Sequence, residues 1–153
     1  MATAFDNFDQ YADLAYEGQV ADRGNVDIVS RVANGSDINY GRAVRDIDQR
    51  AARLPTGSEV SHGITVRETV RDNPAGDNPT PVYPQGEAMS VMREGRMYVA
   101  TVDGAAVNDS VYVVPDTGEL TNDAAGGTNI QLAGAAWKSA ANAGGIALVQ
   151  LNG

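Results

Sequence analysis

The sequence predicts an all-β fold: a compact jelly-roll-like or tulip-like sandwich or barrel of short antiparallel strands, with an N-terminal arm. Roughly seven to nine strand-like segments recur at a spacing of about 8 to 12 residues, which is typical of sandwiches and barrels. Helical periodicity is almost absent after the first residues. The 17 glycines suit the tight turns that such a fold needs. With 153 residues, the chain is expected to form one domain.

The first 25 residues are predicted to form the arm, and residues 26–153 the β-domain. Phe5, Phe8, Tyr11 and Leu14 recur every three residues, which fits one face of a short helix. Because so short a helix is marginal alone, an extended arm fits equally well. Both phenylalanines of the chain lie in this segment, before any strand pattern begins.

The first half of the β-domain contains three strand-like runs and then a break. Runs rich in β-branched residues cover 26–32 and 61–70, and a mixed run covers 38–46. Four of the six prolines lie in 71–86. Because proline cannot donate to a strand ladder, this segment is predicted to be an exposed loop.

The second half carries the clearest strand pattern. Residues 87–104 alternate apolar side chains on both sides of Glu94–Gly95, which predicts a hairpin with a two-residue turn. Since both faces of this hairpin are apolar, we expect it to be central or packed at an interface. Short strands are expected at 110–115 and 119–121. Two closing strands follow at 129–140, which contains Trp137, and at 145–153.

Charge and composition restrict the partners. The net charge of -9 disfavours unaided binding to nucleic acid or to anionic membranes, where cationic residues supply most of the attraction. The chain has no cysteine, which excludes disulfides and thiolate metal sites. The N-terminus shows neither the basic region nor the apolar run of a secretory signal. We therefore expect neither nucleic acid nor membrane as a partner.

The residues needed for catalysis are sparse. His62 is the only histidine. In a strand its neighbour Ser61 would point to the opposite side, and no nucleophile-elbow motif is present. The acidic loop 72–78 could offer oxygen ligands to calcium, but its spacing departs from the EF-hand pattern. We predict that the protein is not an enzyme and has no catalytic residues, cofactor or metal.

Spare apolar residues suggest a partner interface instead. Aromatic residues of an arm can bury area on a neighbouring subunit, and methionines adapt well to contacted surfaces. The alternatives are that the aromatics fold back on their own domain and that the methionines are ordinary core. The predicted interface residues are Phe5, Phe8, Tyr11, Tyr16, Met89 and Met97.

Five segments, taken in this order, carry a resemblance to a known family: "YEGQVADRGNVDIVSRVA", "INYGRAV", "HGITVRE", "YPQGEAMSVMREGRMYVATVDGAAVNDSVYVVPDTGELT" and "GTNIQLAGAAWKSAANAGGIALVQLNG". In order and character they resemble the cement, or head-decoration, proteins of tailed bacteriophages. The likeness covers the chain from about residue 16 onward, and the first 15 residues match least well.

This resemblance implies a structural virion protein on the capsid exterior. It would bind the major capsid protein lattice as a homodimer or homotrimer, and stabilise the head against DNA pressure. The arm would reach a neighbouring subunit. The alternative from a different class is a carbohydrate- or receptor-binding β-sandwich of a phage fibre or spike, in which exposed Trp and Tyr side chains would form a sugar platform. Trp137, the single tryptophan, stands beside small residues, so we expect it to be buried instead.

Overall fold

The computed structural model describes residues 16–21, 24–68 and 82–152, and it confirms the all-β class. Apart from one short 3-10 turn at Ala125–Gly127, these residues contain no helix. The strands in chain order are β1 (Gln19–Val20), β2 (Asp27–Ala33), β3 (Ile38–Asn39), β4 (Ala43–Asp46), β5 (Ala51–Arg53), β6 (Gly63–Thr65), β7 (Val82–Tyr83), β8 (Ala88–Ala100), β9 (Gly104–Ala105), β10 (Ser110–Val113), β11 (Leu120–Thr121), β12 (Ile130–Trp137), β13 (Ala141–Asn142) and β14 (Ile146–Asn152).

Strand β8 is the centre of the fold. It is 13 residues long and pairs with four other strands. Its first half pairs antiparallel with β2 and with β6. Its second half pairs antiparallel with β14 and with the two-residue strand β1. The two halves of β8 therefore belong to two different parts of the domain.

The first half of β8 closes a small barrel. The strand order β8-β2-β5-β4-β6 returns to β8 through the β6–β8 pairing. All of these contacts are antiparallel except β2 with β5, which is parallel. The barrel core contains Tyr40, Tyr83, Met89 and Val91, all at most 1% exposed. A closed barrel leaves none of its strands as a free edge, which protects it from edge-to-edge association.

The second half of β8 begins an open sheet in the order β8-β14-β12-β10-β11. A larger core lies between this sheet and the outside of the barrel wall, and it contains Ile64 from β6 together with Trp137 from β12. Trp137 is fully buried, and its indole N–H donates to the Thr121 carbonyl at 3.4 Å. The two closing strands predicted at 129–140 and 145–153 correspond to β12 and β14 of this sheet.

A β-bulge at Arg93 lets β8 serve both cores. Asp27 pairs with Glu94 and the next residue pairs with Met92, so Arg93 has no partner opposite it on β2. One extra residue reverses the alternation of side chains. Met92 and Met97 are five positions apart and would otherwise point to opposite faces, yet both lie in the larger core.

The predicted two-residue turn at Glu94–Gly95 is wrong, because the chain runs straight through it as one strand. Gly95 has φ 130°, a backbone conformation that side chains disfavour. A glycine inside a strand-like run marks either a turn or a bulge, and here it follows the bulge. The apolar residues on both faces, attributed to a central hairpin, are explained by one strand that faces two cores.

The structure places parts of the predicted arm and of the predicted proline-rich loop in strands. Residues 16–21, assigned to the arm, lie on the β-domain, because Gln19 and Val20 pair with Tyr98 and Met97. Of the predicted proline-rich loop, 71–81 lies outside the described residues. Val82–Tyr83 instead forms β7, which pairs with β3.

Substituting Gly95 with alanine tests the bulge. A Cβ there would lie 3.1 Å from the Met92 sulfur and 3.2 Å from Val26 Cγ2, in addition to the strain of φ 130°. We expect Gly95→Ala to lower the free energy of unfolding by about 3 kcal/mol or more in chemical denaturation. The control Gly86→Ala has φ 88° with no atom within 4 Å, and should cost about 1 kcal/mol. Equal losses in the two variants would contradict the role assigned to Gly95.

Candidate functional site

The structure separates the six predicted interface residues. Phe5, Phe8 and Tyr11 lie outside the described residues. Tyr16 is 50% exposed, at the point where the described chain begins. Met89 and Met97 are at most 1% exposed and lie in the two cores, so their side chains are not available at the surface of the domain. Among the six, Tyr16 is the one that the structure describes at the surface.

Residues 16–21 form what we call the arm root, which is held to the domain by backbone hydrogen bonds. The Gly18 N–H donates to the Tyr98 carbonyl at 2.8 Å, and the Ala21 N–H donates to the Arg96 carbonyl at 2.9 Å. On the other side, the Arg67 N–H donates to the Gly18 carbonyl at 2.7 Å. Gly18 is thus bonded both to β8 and to the segment that follows β6, which fixes the position of the arm root on the domain.

Glycine is required at this junction because backbones approach each other closely. Gly18 has φ 80°, and a Cβ on it would lie 2.9 Å from both the Arg67 and the Gly41 backbone nitrogens. Gly41 has φ 70°, and its own Cβ would lie 2.9 Å from the Gly18 nitrogen. Backbone atoms cannot move aside as a side chain can, so any larger residue would push the arm root away from the barrel.

Cation–π contacts of Arg67 link the arm root to the barrel core. The Arg67 guanidinium lies 4.5 Å from the ring centroid of Tyr16 and 5.6 Å from that of Tyr40. Tyr40 in turn packs edge-to-face on Tyr83, with centroids 5.0 Å apart. Each exposed cation–π contact contributes about 0.5 to 1 kcal/mol. The half-exposed Tyr16 is therefore coupled through Arg67 to two buried rings.

Tyr83 anchors the buried end of this arrangement. Its hydroxyl donates to the Val66 carbonyl, one residue before Arg67. Burial raises the pKa of the Tyr83 phenol well above its usual value, so the hydroxyl remains a neutral donor. The Tyr40 hydroxyl donates to the Glu68 carbonyl at 3.3 Å. Two buried tyrosines thus hold the segment that carries Arg67.

Sequence reasoning identified Tyr16 but missed Gly18, Gly41 and Arg67 as members of this site. Arg67 lies in a strand-like run far from the arm in sequence, and no periodicity relates the two. The "YEG" at 16–18 and the "YG" at 40–41 share a Tyr/Gly character, but only the fold brings them together.

A second surface feature is a row of apolar residues on the outside of the barrel. Val32 pairs with Ala88 on one side and with Ala51 on the other, and the Ile47 N–H donates to the Ala51 carbonyl. Because the neighbouring Ala33 and Ala52 point inward, these side chains point outward. We call this set the apolar row: Ile28, Val32, Ile47, Ala51 and Ala88, of which Ile28, Val32 and Ile47 are 43%, 38% and 49% exposed.

The prediction that Ser61 and His62 point to opposite sides of a strand is wrong. Neither residue is in a strand, because β6 begins at Gly63, and both line one small cavity. They do not form a catalytic pair: His62 Nδ1 accepts a hydrogen bond from the Asp46 backbone, and Ser61 Oγ has no partner among the described residues. Within the described ranges no group of three or more His, Cys, Asp or Glu side chains could hold a metal ion.

No helix in the described part of the chain is long and apolar enough to cross a membrane.

Substitution of Gly18 with alanine tests the arm root. We expect Gly18→Ala to break the close approach to Arg67 and Gly41, and to speed hydrogen exchange of the Ala21 amide by about tenfold or more. Gly35→Ala is the matched control, since Gly35 has φ 83° but no atom within 4 Å. The measurement is amide exchange followed by NMR. Unchanged protection at Ala21 in Gly18→Ala would refute the junction described here.

Two solved structures share this fold at low sequence identity. One, "The capsid of Myoviridae Phage XM1", matches with a TM-score of 0.72 and 18% identity, over 90% of this chain and 89% of that chain. The other, the head fiber gp8.5 N base in bacteriophage phi29, matches with a TM-score of 0.51 and 10% identity, over 83% of this chain and 94% of that chain. No curated protein sequence matches.

The sequence itself matches a family model described as "Structural cement protein (E217 gp24/Pam3 gp6)" over residues 6–152. The match includes most of the arm, all of the arm root and both parts of the β-domain. It agrees with the resemblance read from the order of the segments. The chain belongs to the phage structural cement protein family, and its role is that of a structural protein of the virion capsid.

Proposed function

We propose that this protein binds the outer surface of the major capsid protein lattice and links neighbouring lattice subunits, stabilising the head against DNA pressure. The observation that carries the proposal is the separation of two surfaces along β8. The arm root is bonded to residues 96–98, and the apolar row reaches Ala88 at the other end. At about 3.3 Å per residue, the two surfaces are up to roughly 30 Å apart.

Two separated contacts suit a cement protein. Once one contact has formed, the second becomes effectively intramolecular, so modest contacts add up to high avidity. The arm, residues 1–15, leaves from the anchored Gly18 and would dock its aromatics Phe5, Phe8 and Tyr11 on a neighbouring lattice subunit. The apolar row would contact the subunit beneath the domain, where burial of about 25 cal/mol per Å² of apolar area favours binding.

The oligomeric state belongs to the same proposal. A homodimer or homotrimer would match a symmetric lattice, since closed symmetric oligomers place identical contacts on identical sites. The acidic net charge of -9 disfavours nucleic acid as a partner. We further propose that the protein is not an enzyme, because its family is described as a structural cement protein and Ser61 and His62 are not hydrogen-bonded to each other.

The carbohydrate-binding alternative relied on exposed Trp and Tyr side chains. Trp137, the only tryptophan, is fully buried in the larger core and cannot form a sugar platform.

Removal of residues 1–15 tests the arm. Since Tyr16 and Gly18 remain, we expect the β-domain to keep its melting temperature and to lose about tenfold or more in capsid affinity. Binding is measured by co-sedimentation with capsids that lack the protein. The triple variant F5A/F8A/Y11A, which keeps the arm length, should reproduce the loss. Full binding by the truncated chain would exclude an arm contact, and unfolding would show that the arm belongs to the core.

A charge placed in the apolar row tests the second contact. Val32→Asp should weaken capsid binding by about tenfold or more, because it desolvates a carboxylate in an apolar interface. Val107→Asp is the matched control, since Val107 is 57% exposed and lies in the second part of the domain. Both variants should retain the wild-type circular dichroism spectrum. Equal binding by the two variants would remove the apolar row from the interface.

A further inference from the structure

A small cavity lies where β8 leaves the barrel and enters the open sheet. Its volume is about 220 Å³, and it is lined by Ser61, His62 and Arg93 together with Leu132 and Leu151. β6 pairs with Met92 and Val91, and β14 pairs with β8 from Glu94 onward. The cavity therefore opens at the bulge, where the two neighbours of β8 diverge.

Two buried polar atoms of this cavity lack partners. Ser61 is 7% exposed, and its Oγ makes no hydrogen bond among the described residues. The Nε of Arg93 is likewise buried without a partner in the described ranges. An unsatisfied buried polar group costs about 1 to 3 kcal/mol, and native proteins contain few of them. Both residues line this cavity, so a ligand bound there could satisfy both atoms.

The cavity residues offer more donors than acceptors. The Arg93 Nε–H can only donate a hydrogen bond, whereas the Ser61 hydroxyl can donate one and accept others. His62 Nδ1 accepts from the Asp46 N–H at 2.9 Å, so the neutral ring carries its proton on Nε2. Two N–H donors beside a hydroxyl that can also donate fit an oxyanion better than a cation.

Charge points to the same conclusion. Asp46 accepts two hydrogen bonds from Arg31, at 3.1 and 3.2 Å, and it also pairs with Arg93. Arg93 therefore shares its carboxylate partner with Arg31, and Arg31 also lies close to the Asp48 carboxylate. The side chains of Arg31 and Asp46 are 12% and 13% exposed, so solvent screens this cluster only in part. An anion in the cavity would give Arg93 a carboxylate partner of its own.

We propose that this cavity is a binding site for a single carboxylate on a short aliphatic stem. The carboxylate would accept hydrogen bonds from Ser61 and Arg93, and the stem would pack on Leu132 and Leu151. A singly charged carboxylate fits one guanidinium N–H and one hydroxyl better than the double charge of a phosphate monoester does. The carboxylate could come from a free small acid or from a Glu or Asp side chain of the capsid lattice, and only the second source depends on the proposed function.

The test is a titration of the full-length protein with sodium propionate, followed by ¹H–¹⁵N NMR, at constant ionic strength. Chloride and neutral propionamide are the control ligands. We expect saturable shifts of amides around residues 61–63, 93 and 132–133 with propionate only. Ser61→Ala should bind about tenfold more weakly, because it removes one hydrogen bond to a charged group. The exposed Ser30→Ala should bind as the wild type does.

The thermal stability of Ser61→Ala, with and without propionate, is a second test of the site. Since Ser61 Oγ makes no hydrogen bond to any described residue, the variant should be at least as stable as the wild type without ligand. Propionate should raise the melting temperature of the wild type and not that of Ser61→Ala. Absence of propionate-specific shifts, or identical affinities in wild type and Ser61→Ala, would overturn the proposal.

Competition identifies the source of the carboxylate. If propionate at saturating concentration displaces the protein from capsids, the natural ligand is a side chain of the lattice. If propionate binds and capsid co-sedimentation is unchanged, the natural ligand is a free small acid. Failure of the protein to bind capsids at all would contradict the proposed function and leave the NMR result unaffected.

Discussion

The fold depends on one constraint: a single strand has to supply side chains to two separate cores. β8 can do this because the bulge at Arg93 reverses the alternation of its side chains and Gly95 accepts the φ that follows. Met89 and Val91 therefore pack inside the barrel, whereas Met97 packs against the open sheet. Without the bulge, the second half of the strand would present its apolar side chains to the wrong face.

The surface features follow from the same strand. Its second half accepts hydrogen bonds from Gly18 and Ala21, which fixes the arm root, and its first residue, Ala88, lies in the apolar row. The two surfaces proposed to contact the capsid are thus joined by one continuous element. A load applied between them would be carried by strand pairing on both sides of β8 rather than by a loop, which suits a protein that belongs to a cement family.

Fold class and most strand positions could be predicted from the sequence, because alternating β-branched residues are a local signal. The continuity of β8 could not, since a glycine within such a run is compatible with a turn and with a bulge. The parallel pairing of β2 with β5 and the contact of Arg67 with Tyr16 depend on chain topology, which local patterns do not encode. The methionines were ambiguous for a similar reason: an apolar residue on the second face of a strand can lie in a core or in an interface, and here it lies in a core.

The central claim is that the arm leaves the anchored Gly18 to contact a different subunit from the one beneath the apolar row. The most direct measurement is a cryo-electron microscopy reconstruction of capsids reassembled with the purified protein. The account predicts density for residues 1–15 that continues from Tyr16 onto a neighbouring capsid subunit, with Val32 and Ile47 facing the subunit below. Density in which this segment folds back on its own β-domain, or in which the apolar row faces solvent, would contradict it.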